Sequence, residues 1–271
     1  MSTRRLEAVV FDWAGTTVDH GCMAPVSAFR EVFRRRGVEL TLDEARGPMG
    51  THKRRHIELV AQLPSVAARF SAVHGRAPEA RDVDAMFEDF VPLQLSCLPR
   101  HAEPVPGCLS TVEALRARGL KIGSTTGFTA EMMAVLAPAA RKRGFSPDVI
   151  VSASDVPRGR PAPDMCLKNA LELGVSSVDA CVKVDDTVAG IEEGRNAGMW
   201  TVGVVMTGNE VGLTVDELSA LDAASVDALR ARGRARLLAA GAHFVVDGVG
   251  DLLEVIDVIE ARTPRGLGRA A

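Results

Sequence analysis

Asp12 lies between a short apolar segment and a turn that consists mostly of small residues. Residues 8–11, Ala-Val-Val-Phe, are β-prone and uncharged, and Trp-Ala-Gly-Thr-Thr follows the aspartate. Such a carboxylate often caps a helix or forms a turn. It can also attack a phosphorus atom, provided that cations offset the repulsion between the two anions. The residues that the fold brings beside Asp12 decide between these roles.

Polar residues follow three later apolar segments in the same way. Residues 124–127, Ser-Thr-Thr-Gly, end the first, residues 155–164 with Arg160 follow the second, and Asp185-Asp186-Thr187 ends the third. Taken singly, each stretch is also compatible with an ordinary turn or a surface ion pair. Because the carboxyl ends of parallel strands lie at one edge of a sheet, we expect all of them to meet Asp12 there. Facing carboxylates with hydroxyls and a basic residue beside them suit Mg²⁺ and a phosphoryl group.

Six β-prone segments alternate with helical patterns along the chain. The segments are residues 8–11, 120–126, 149–154, 180–184, 201–206 and 243–247. Three helical patterns between them end at Gly119, Gly174 and Gly198, as helices commonly end at glycine. Strand and helix in alternation predict right-handed parallel crossovers. The predicted fold is α/β, a Rossmann-like doubly wound parallel sheet with helices on both faces.

One interval interrupts this alternation. Between about residues 21 and 100 the sequence shows helical patterns at 26–37, 49–63, 66–75 and 82–95 and no convincing strand. That interval is too long for a single crossover. We therefore predict a helical cap domain, residues 21–100, inserted into a core domain of residues 1–20 and 101–271. The last ten residues are expected to be frayed.

The composition argues against several classes of protein. The 271 residues carry 32 basic and 35 acidic side chains, so no excess charge indicates a nucleic-acid partner. Two basic runs, residues 34–36 and 53–55, are predicted to be solvated helix faces. The five cysteines are odd in number and form no CxxC pair, which is typical of reduced thiols. No apolar segment reaches the ~18 residues that a membrane helix needs. We expect a cytoplasmic protein with no membrane partner.

Four motifs together resemble those of the haloacid dehalogenase superfamily. They are "DWAGTT", "GSTTGFT", "GRPAPD" and "VDDTVAGIEEGRNAGMW", and they occur in that order. Within the superfamily the chain is most similar to the phosphonoacetaldehyde hydrolase family. That family has alanine where phosphatases have a second acid, here Ala14, and a "MGxxKxxH" stretch, here residues 49–56. The resemblance implies a Mg²⁺-dependent hydrolase that cleaves the carbon–phosphorus bond of a small phosphonate, and it also implies a homodimer.

Ala14 fits this chemistry because a departing carbon needs an electron sink rather than a general acid. An amine that condenses with the substrate aldehyde provides that sink, and Lys53 is the candidate. Burial and nearby positive charge would lower its pKa from about 10.4. With Pro48 in the first helical turn, we expect Lys53 about one turn further along. His56, on the same helix face as Lys53, would move a proton during imine formation.

The resemblance assigns further residues to binding. Thr126, Gly127 and Arg160 would hold the phosphoryl group. Independently of the resemblance, we predict that Cys22, Met49 and Gly50 line an apolar pocket around the aldehyde, with a core or hinge position as the alternative for Cys22 and Met49. The implied Mg²⁺ ligands are Asp12, the carbonyl of Ala14, Asp186 and, less directly, Asp185. Many relatives have an acid where this chain has Gly190, and Phe128 stands where tyrosine is frequent.

Two alternatives remain open at the level of sequence. An ordinary Mg²⁺-dependent phosphomonoesterase of the same superfamily would have to tolerate Ala14. A binding or regulatory protein without catalytic activity would account for the missing acids at positions 14 and 190.

Overall fold

A computed structural model of the protein describes residues 6–262. Of the last ten residues, expected to be frayed, all but the first lie outside this range. Within residues 6–262 no helix combines the length and apolar character that crossing a membrane requires. Five of the six residues in the two basic runs lie at the surface and form ion pairs there, for example Arg54 with Asp84 and Arg55 with Glu58, both at 2.7 Å. The sixth, Lys53, is buried, so the solvated face predicted for residues 53–55 is wrong at that position.

A six-stranded parallel sheet is the centre of the described chain. Its spatial order is β3-β2-β1-β4-β5-β6. β1 is therefore a central strand, with β2 and β3 on one side and β4, β5 and β6 on the other. The strands are β1 (Ala8–Phe11), β2 (Lys121–Thr126), β3 (Val149–Ser152), β4 (Cys181–Asp185), β5 (Trp200–Val204) and β6 (Phe244–Val246). All six predicted β-prone segments are strands, and the predicted α/β sheet is confirmed.

Helices cover both faces of this sheet. They are α6 (Cys108–Ala117), α7 (Ala130–Lys142), α8 (Asp164–Leu173), α9 (Val188–Asn196), α10 (Val215–Ser219), α11 (Ala223–Ala239) and α12 (Leu252–Arg262). β1 is fully buried, and its alternating side chains enter two different apolar clusters. Val9 and Phe11 pack on the α6 and α12 side, whereas Ala8 and Val10 pack on the α8 side. This two-sided burial explains why the strands are continuous apolar runs.

Five α-helices follow β1 before α6. They are α1 (Met23–Arg34), α2 (Leu42–Arg46), α3 (Lys53–Ala61), α4 (Pro64–His74) and α5 (Ala80–Cys97). None of the described residues 21–100 belongs to a strand, as expected. The short α2 was not predicted; a capping box of Thr41 and Glu44 starts it.

Helix α3 begins later than expected. Its first residue is Lys53, and the His52 side chain caps it by accepting a hydrogen bond from the Arg54 amide. Pro48 and Met49 precede the helix, so the prediction that Pro48 lies in the first turn is wrong. The difference matters because Lys53 now lies at the positive end of the helix dipole rather than one turn beyond it.

Candidate active site

Asp12 follows the last residue of β1 and is held there by its neighbours. Its amide donates to the Val184 carbonyl at 2.9 Å, and the Thr17 hydroxyl donates to the Asp12 carbonyl at 2.9 Å. The side chain is 7 % exposed, and its Oδ1 lies 2.8 Å from Nη2 of Arg160. The turn after β1 therefore directs a buried carboxylate toward a fixed guanidinium.

Asp12, Asp185 and Asp186 form a cluster of buried carboxylates. One oxygen from each lies within 4.8 Å of the others. Asp186 accepts hydrogen bonds from the Thr16 hydroxyl at 2.8 Å and from the Asn209 amide at 2.8 Å. Burial, together with the charges of the other two aspartates, raises the pKa of Asp186 well above its usual value. Buried oxygen ligands that repel one another in this way fit a divalent cation.

The carbonyl of Ala14 lies beside the same cluster. The Cys22 thiol donates to the Ala14 oxygen at 3.1 Å and to Oδ2 of Asp186 at 3.2 Å. Burial and the neighbouring carboxylate of Asp186 raise the pKa of Cys22 well above its usual value, so the thiol keeps its proton. Cys22 thus connects two of the predicted metal ligands.

Asp185 has a different set of partners from Asp186. Its Oδ2 lies 3.2 Å from Arg160 and 2.9 Å from Lys183, and its Oδ1 accepts from the amide and hydroxyl of Thr187. Burial opposes ionisation, but the two cations outweigh it and lower the pKa of Asp185. A Cβ at Gly190 would lie 2.0 Å from this carboxyl group. Asp185 therefore occupies the space that a side chain at position 190 would need.

The predictions did not include Lys183 and Glu193, which lie directly behind the carboxylate cluster. Both are completely buried. Lys183 Nζ lies 2.7 Å from the Thr125 hydroxyl, and Glu193 Oε2 accepts from Arg160 Nε at 2.8 Å. The sequence signal for this network is the lysine in the otherwise apolar run "ACVKV", because lysine is rarely buried without a charged partner.

Lys53 reaches the site from the first turn of α3. It is 3 % exposed, and its Nζ lies 4.5 Å from the ring centroid of Phe128 and 5.7 Å from that of Phe29. Burial lowers the pKa of Lys53 to about 8, although the charge of Asp12 acts in the opposite direction. The helix start also disfavours a positive charge at this position. The amine is therefore neutral in a larger fraction of molecules at neutral pH than an ordinary lysine.

His56 lies on α3 but away from the cavity. The ring stacks on Phe29 at a centroid distance of 3.7 Å, and Nε2 lies 2.9 Å from the Ala45 carbonyl. Burial lowers the pKa of His56 well below its usual value, which keeps the imidazole neutral. Among the described residues its Nδ1 has no hydrogen-bond partner. A proton-transfer role for His56 stays a prediction.

A small cavity joins most of the predicted site residues. Its volume is about 20 Å³, which is room for little more than a water molecule. The lining includes every predicted substrate-binding residue together with two of the predicted catalytic residues: Asp12, Cys22, Met49, Gly50, Lys53, Thr126, Gly127 and Arg160. Ala14, Pro25, Phe128 and Thr187 complete it. Residues that are distant in sequence thus enclose one polar space between β1, β2 and the start of α3.

The charges around this cavity set the ionisation of Asp12. Burial, followed by repulsion from Asp185, raises the pKa of Asp12 to about 6 despite the nearby Arg160 and Lys183. A carboxylate with this pKa is mostly ionised at neutral pH. The geometry therefore combines an ionised carboxylate, an oxygen cluster that fits a divalent cation and a buried amine around one space, which suits nucleophilic chemistry on an anionic substrate.

Comparisons with known proteins agree with this arrangement. A family model described as haloacid dehalogenase-like hydrolase matches residues 6–198. A phosphonoacetaldehyde hydrolase from Nitratidesulfovibrio vulgaris is 53% identical over 266 residues, covering 96% of this chain and 93% of the relative. One from Vibrio cholerae is 48% identical over 268 residues, covering 98% and 99%.

A solved structure is similar along nearly the whole chain. It is the crystal structure of a phosphonoacetaldehyde hydrolase-like protein from Oleispira antarctica, with a TM-score of 0.94 and 44% sequence identity. The match covers 96% of this chain and 95% of that one. The chain therefore belongs to the haloacid dehalogenase-like hydrolases and, within them, to the phosphonoacetaldehyde hydrolase family.

Proposed function

We propose that this protein hydrolyses phosphonoacetaldehyde to acetaldehyde and phosphate. The names of its relatives support this substrate, and the observation that carries the proposal is the position of Lys53. Its buried amine, with a pKa of about 8, lines the same small cavity as the carboxylate of Asp12. A phosphatase that releases an alcohol has no need for such an amine.

In the first step the neutral amine of Lys53 adds to the substrate aldehyde. Loss of water gives an imine, which is protonated at nitrogen and can then accept an electron pair. Phe128 and Phe29 face the amine with ring faces, which offer it no hydrogen-bond donor. The lone pair of the neutral amine is thus not taken up by these two neighbours.

In the second step Asp12 attacks phosphorus. The carbon–phosphorus bond breaks, its electron pair passes to carbon, and the protonated imine becomes an enamine. Arg160, 2.8 Å from Asp12, would stabilise the phosphoryl oxygens while this charge moves. Water then hydrolyses the aspartyl-phosphate, and protonation of the enamine at carbon followed by hydrolysis releases acetaldehyde and frees Lys53.

Ala14 supports carbon as the leaving group. An acid at this position would be expected to protonate a departing alcohol, which accelerates ester hydrolysis by about 10² to 10⁴. Here the main chain at Ala14 instead presents a carbonyl oxygen beside Asp186, and the Cys22 thiol is within hydrogen-bond distance of both. The small side chain leaves the cavity open toward Lys53.

We further propose that the carboxylate cluster holds Mg²⁺. Asp12, Asp186 and the Ala14 carbonyl would be the ligands, and Asp185 would support them through Arg160 and Lys183. When bound, the cation would offset the negative charge of Asp12 and of the phosphoryl group. The residues themselves fit this ion because they are buried, oxygen-bearing and mutually repulsive.

The proposal also includes the organisation of the chain. We propose that residues 21–100 are a cap domain over a core formed by residues 1–20 and 101–271, and that the protein is a homodimer. Contact of the cap residues Met49, Gly50 and Lys53 with the core around one cavity supports the first point. The cytoplasmic location stays a prediction from the unpaired cysteines.

The substrate class is tested by comparing phosphate release from phosphonoacetaldehyde with release from a sugar phosphate. We expect the protein with Mg²⁺ to favour the phosphonate strongly and Lys53→Ala to lose most of this activity. Strong ester hydrolysis that Lys53→Ala retains would instead identify a phosphomonoesterase. No turnover of either compound would favour a binding protein.

A further inference from the structure

We infer that Glu193 is a positioning residue that fixes Arg160 for phosphoryl binding. The inference rests on the role of Arg160 in the proposed function. Glu193 lies on α9, is completely buried and does not line the cavity. It therefore acts on the site through Arg160 rather than by touching substrate.

All three nitrogen atoms of the Arg160 guanidinium donate hydrogen bonds. Nε donates to Glu193 Oε2 at 2.8 Å, and Nη2 donates to the Thr125 carbonyl at 3.1 Å and to its hydroxyl at 2.9 Å. Nη1 donates to the Gly50 carbonyl at 3.3 Å. Nη2 also approaches Asp12 at 2.8 Å and Asp185 at 3.2 Å. The hydrogen bond from Nε to Glu193 thus fixes one side of the guanidinium, while Nη2 faces the carboxylate of Asp12.

Glu193 also belongs to a larger buried network. Its Oε2 accepts from the Thr125 hydroxyl at 3.2 Å and lies 3.6 Å from Lys183 Nζ. Lys183 in turn contacts Asp185 at 2.9 Å. Each member is held by at least two others, so Arg160 has little freedom to rotate. A charged donor held in advance at the position of a phosphoryl oxygen binds it without reorganisation cost.

A charge effect and a positioning effect of Glu193 have opposite signs. If Glu193 acted only through its negative charge, it would repel a phosphate ion, and its removal would strengthen phosphate binding. If it positions Arg160, its removal frees the guanidinium and weakens phosphate binding. The direction of the change therefore separates the two roles.

The experiment is calorimetric titration of the Mg²⁺-loaded protein with inorganic phosphate. For Glu193→Ala we expect the phosphate Kd to rise about tenfold or more, since a charge-assisted hydrogen bond is lost. For Glu193→Gln we expect a change within about threefold, because the amide oxygen still accepts from Nε. In the Arg160→Ala background, Glu193→Ala should weaken binding no further.

Glu192→Ala is the matched control, since it removes the same charge from a partly exposed position on the same helix and should leave the Kd unchanged. The rise in Tm on adding Mg²⁺ should persist in Glu193→Ala, which shows that the metal site is intact. Unchanged or tighter phosphate binding by Glu193→Ala overturns the inference, as does further weakening in the Arg160→Ala background. If Glu193→Ala does not fold, Glu193→Gln decides, because binding tighter than that of the wild type by more than threefold contradicts positioning.

Phosphate binding is measured without any turnover. A protein that binds phosphate as expected but does not cleave phosphonoacetaldehyde would refute the proposed function and leave the role of Glu193 standing. If the protein cleaves phosphonoacetaldehyde but Glu193→Ala leaves the phosphate Kd unchanged, the inference about Glu193 is refuted and the proposed function stands.

Discussion

At the scale of single residues, the protein places an amine and a carboxylate in one cavity, and the proposed mechanism requires both of them without their protons. Lys53 must lose its proton to act as a nucleophile, and Asp12 must lose its own to attack phosphorus. Burial raises the pKa of Asp12 to about 6 and lowers that of Lys53 to about 8. Both groups therefore approach their reactive forms as the pH rises from 6 to 8.

The lowered pKa of Lys53 gives a pH dependence. Below about pH 8 the amine is mostly protonated and above it mostly neutral, so imine formation should accelerate with pH and level off above about 8. An ordinary lysine would keep accelerating toward about 10.4. The measurement is the rate of reductive labelling by the aldehyde substrate and borohydride. Lys142→Ala, which removes an exposed lysine, is the control and should label at the same rate.

Burial and the charges of Asp12 and Asp185 raise the pKa of Asp186, and a bound cation would offset this repulsion. We expect Mg²⁺ at about 100 times its Kd to stabilise the protein by ~2.7 kcal/mol, a rise in Tm of roughly 5–10 °C. In Asp186→Asn this rise should be largely lost. The measurement is a thermal melt with and without Mg²⁺. Asp216→Asn, an exposed aspartate, should keep the full rise, and a full rise in Asp186→Asn would contradict the assignment.

At the scale of elements, the packing of α9 on β4 leaves no space for a side chain at position 190. A side chain at Gly190 would collide with Asp185, because a Cβ there lies 2.0 Å from the carboxyl group. The acid at the end of β4 and the glycine on α9 therefore depend on each other.

Gly190→Ala should lower the free energy of unfolding by about 1–3 kcal/mol, as overpacking of a buried contact does. The double variant Asp185→Gly with Gly190→Ala should be relieved of this steric cost, although it loses the ion pairs of Asp185. The measurement is urea unfolding. Gly248→Ala is the control, since the nearest atom to its added Cβ is 4.0 Å away. Unchanged stability of Gly190→Ala would contradict the steric account.

The sequence predicted the elements well because most local signals agreed with the fold. Apolar runs bounded by polar residues gave all six strands, and their order along the chain placed Asp12, Asp185 and Asp186 together. The predicted start of α3 is wrong because proline is a stronger sequence signal for the first turn of a helix than histidine is for an N-cap. The sequence also did not predict Glu193. Which of the two glutamates of α9 faces the sheet depends on how this helix packs against β2 and β4.

At the scale of the whole molecule, the cavity of about 20 Å³ is too small for the proposed substrate. We therefore expect the segment that carries Met49 and Gly50 to move away from the sheet edge for substrate entry. Arg46 on α2 connects this segment to two loops, donating to the Gly21 and Gly212 carbonyls, both at 2.8 Å. These two charge-assisted hydrogen bonds favour the closed arrangement.

Arg46→Ala should shift the protein toward more open arrangements. We expect amide hydrogen exchange across residues 47–52 to increase by about tenfold or more, because each lost bond contributes of order 1.5–3 kcal/mol. The measurement is exchange mass spectrometry of the free protein. Arg55→Ala, which removes an exposed arginine paired with Glu58, should leave this segment unchanged. Equal exchange in Arg46→Ala and wild type would show that these bonds do not hold the segment.

The most direct test of the account is mass spectrometry of the protein after incubation with phosphonoacetaldehyde and borohydride. Reduction of the imine should add one alkyl group, and digestion should locate it on Lys53. Lys53→Arg, which keeps the charge but cannot form the imine, should gain no mass and lose turnover. An active protein with no adduct, or with the adduct on another lysine, would contradict the central claim.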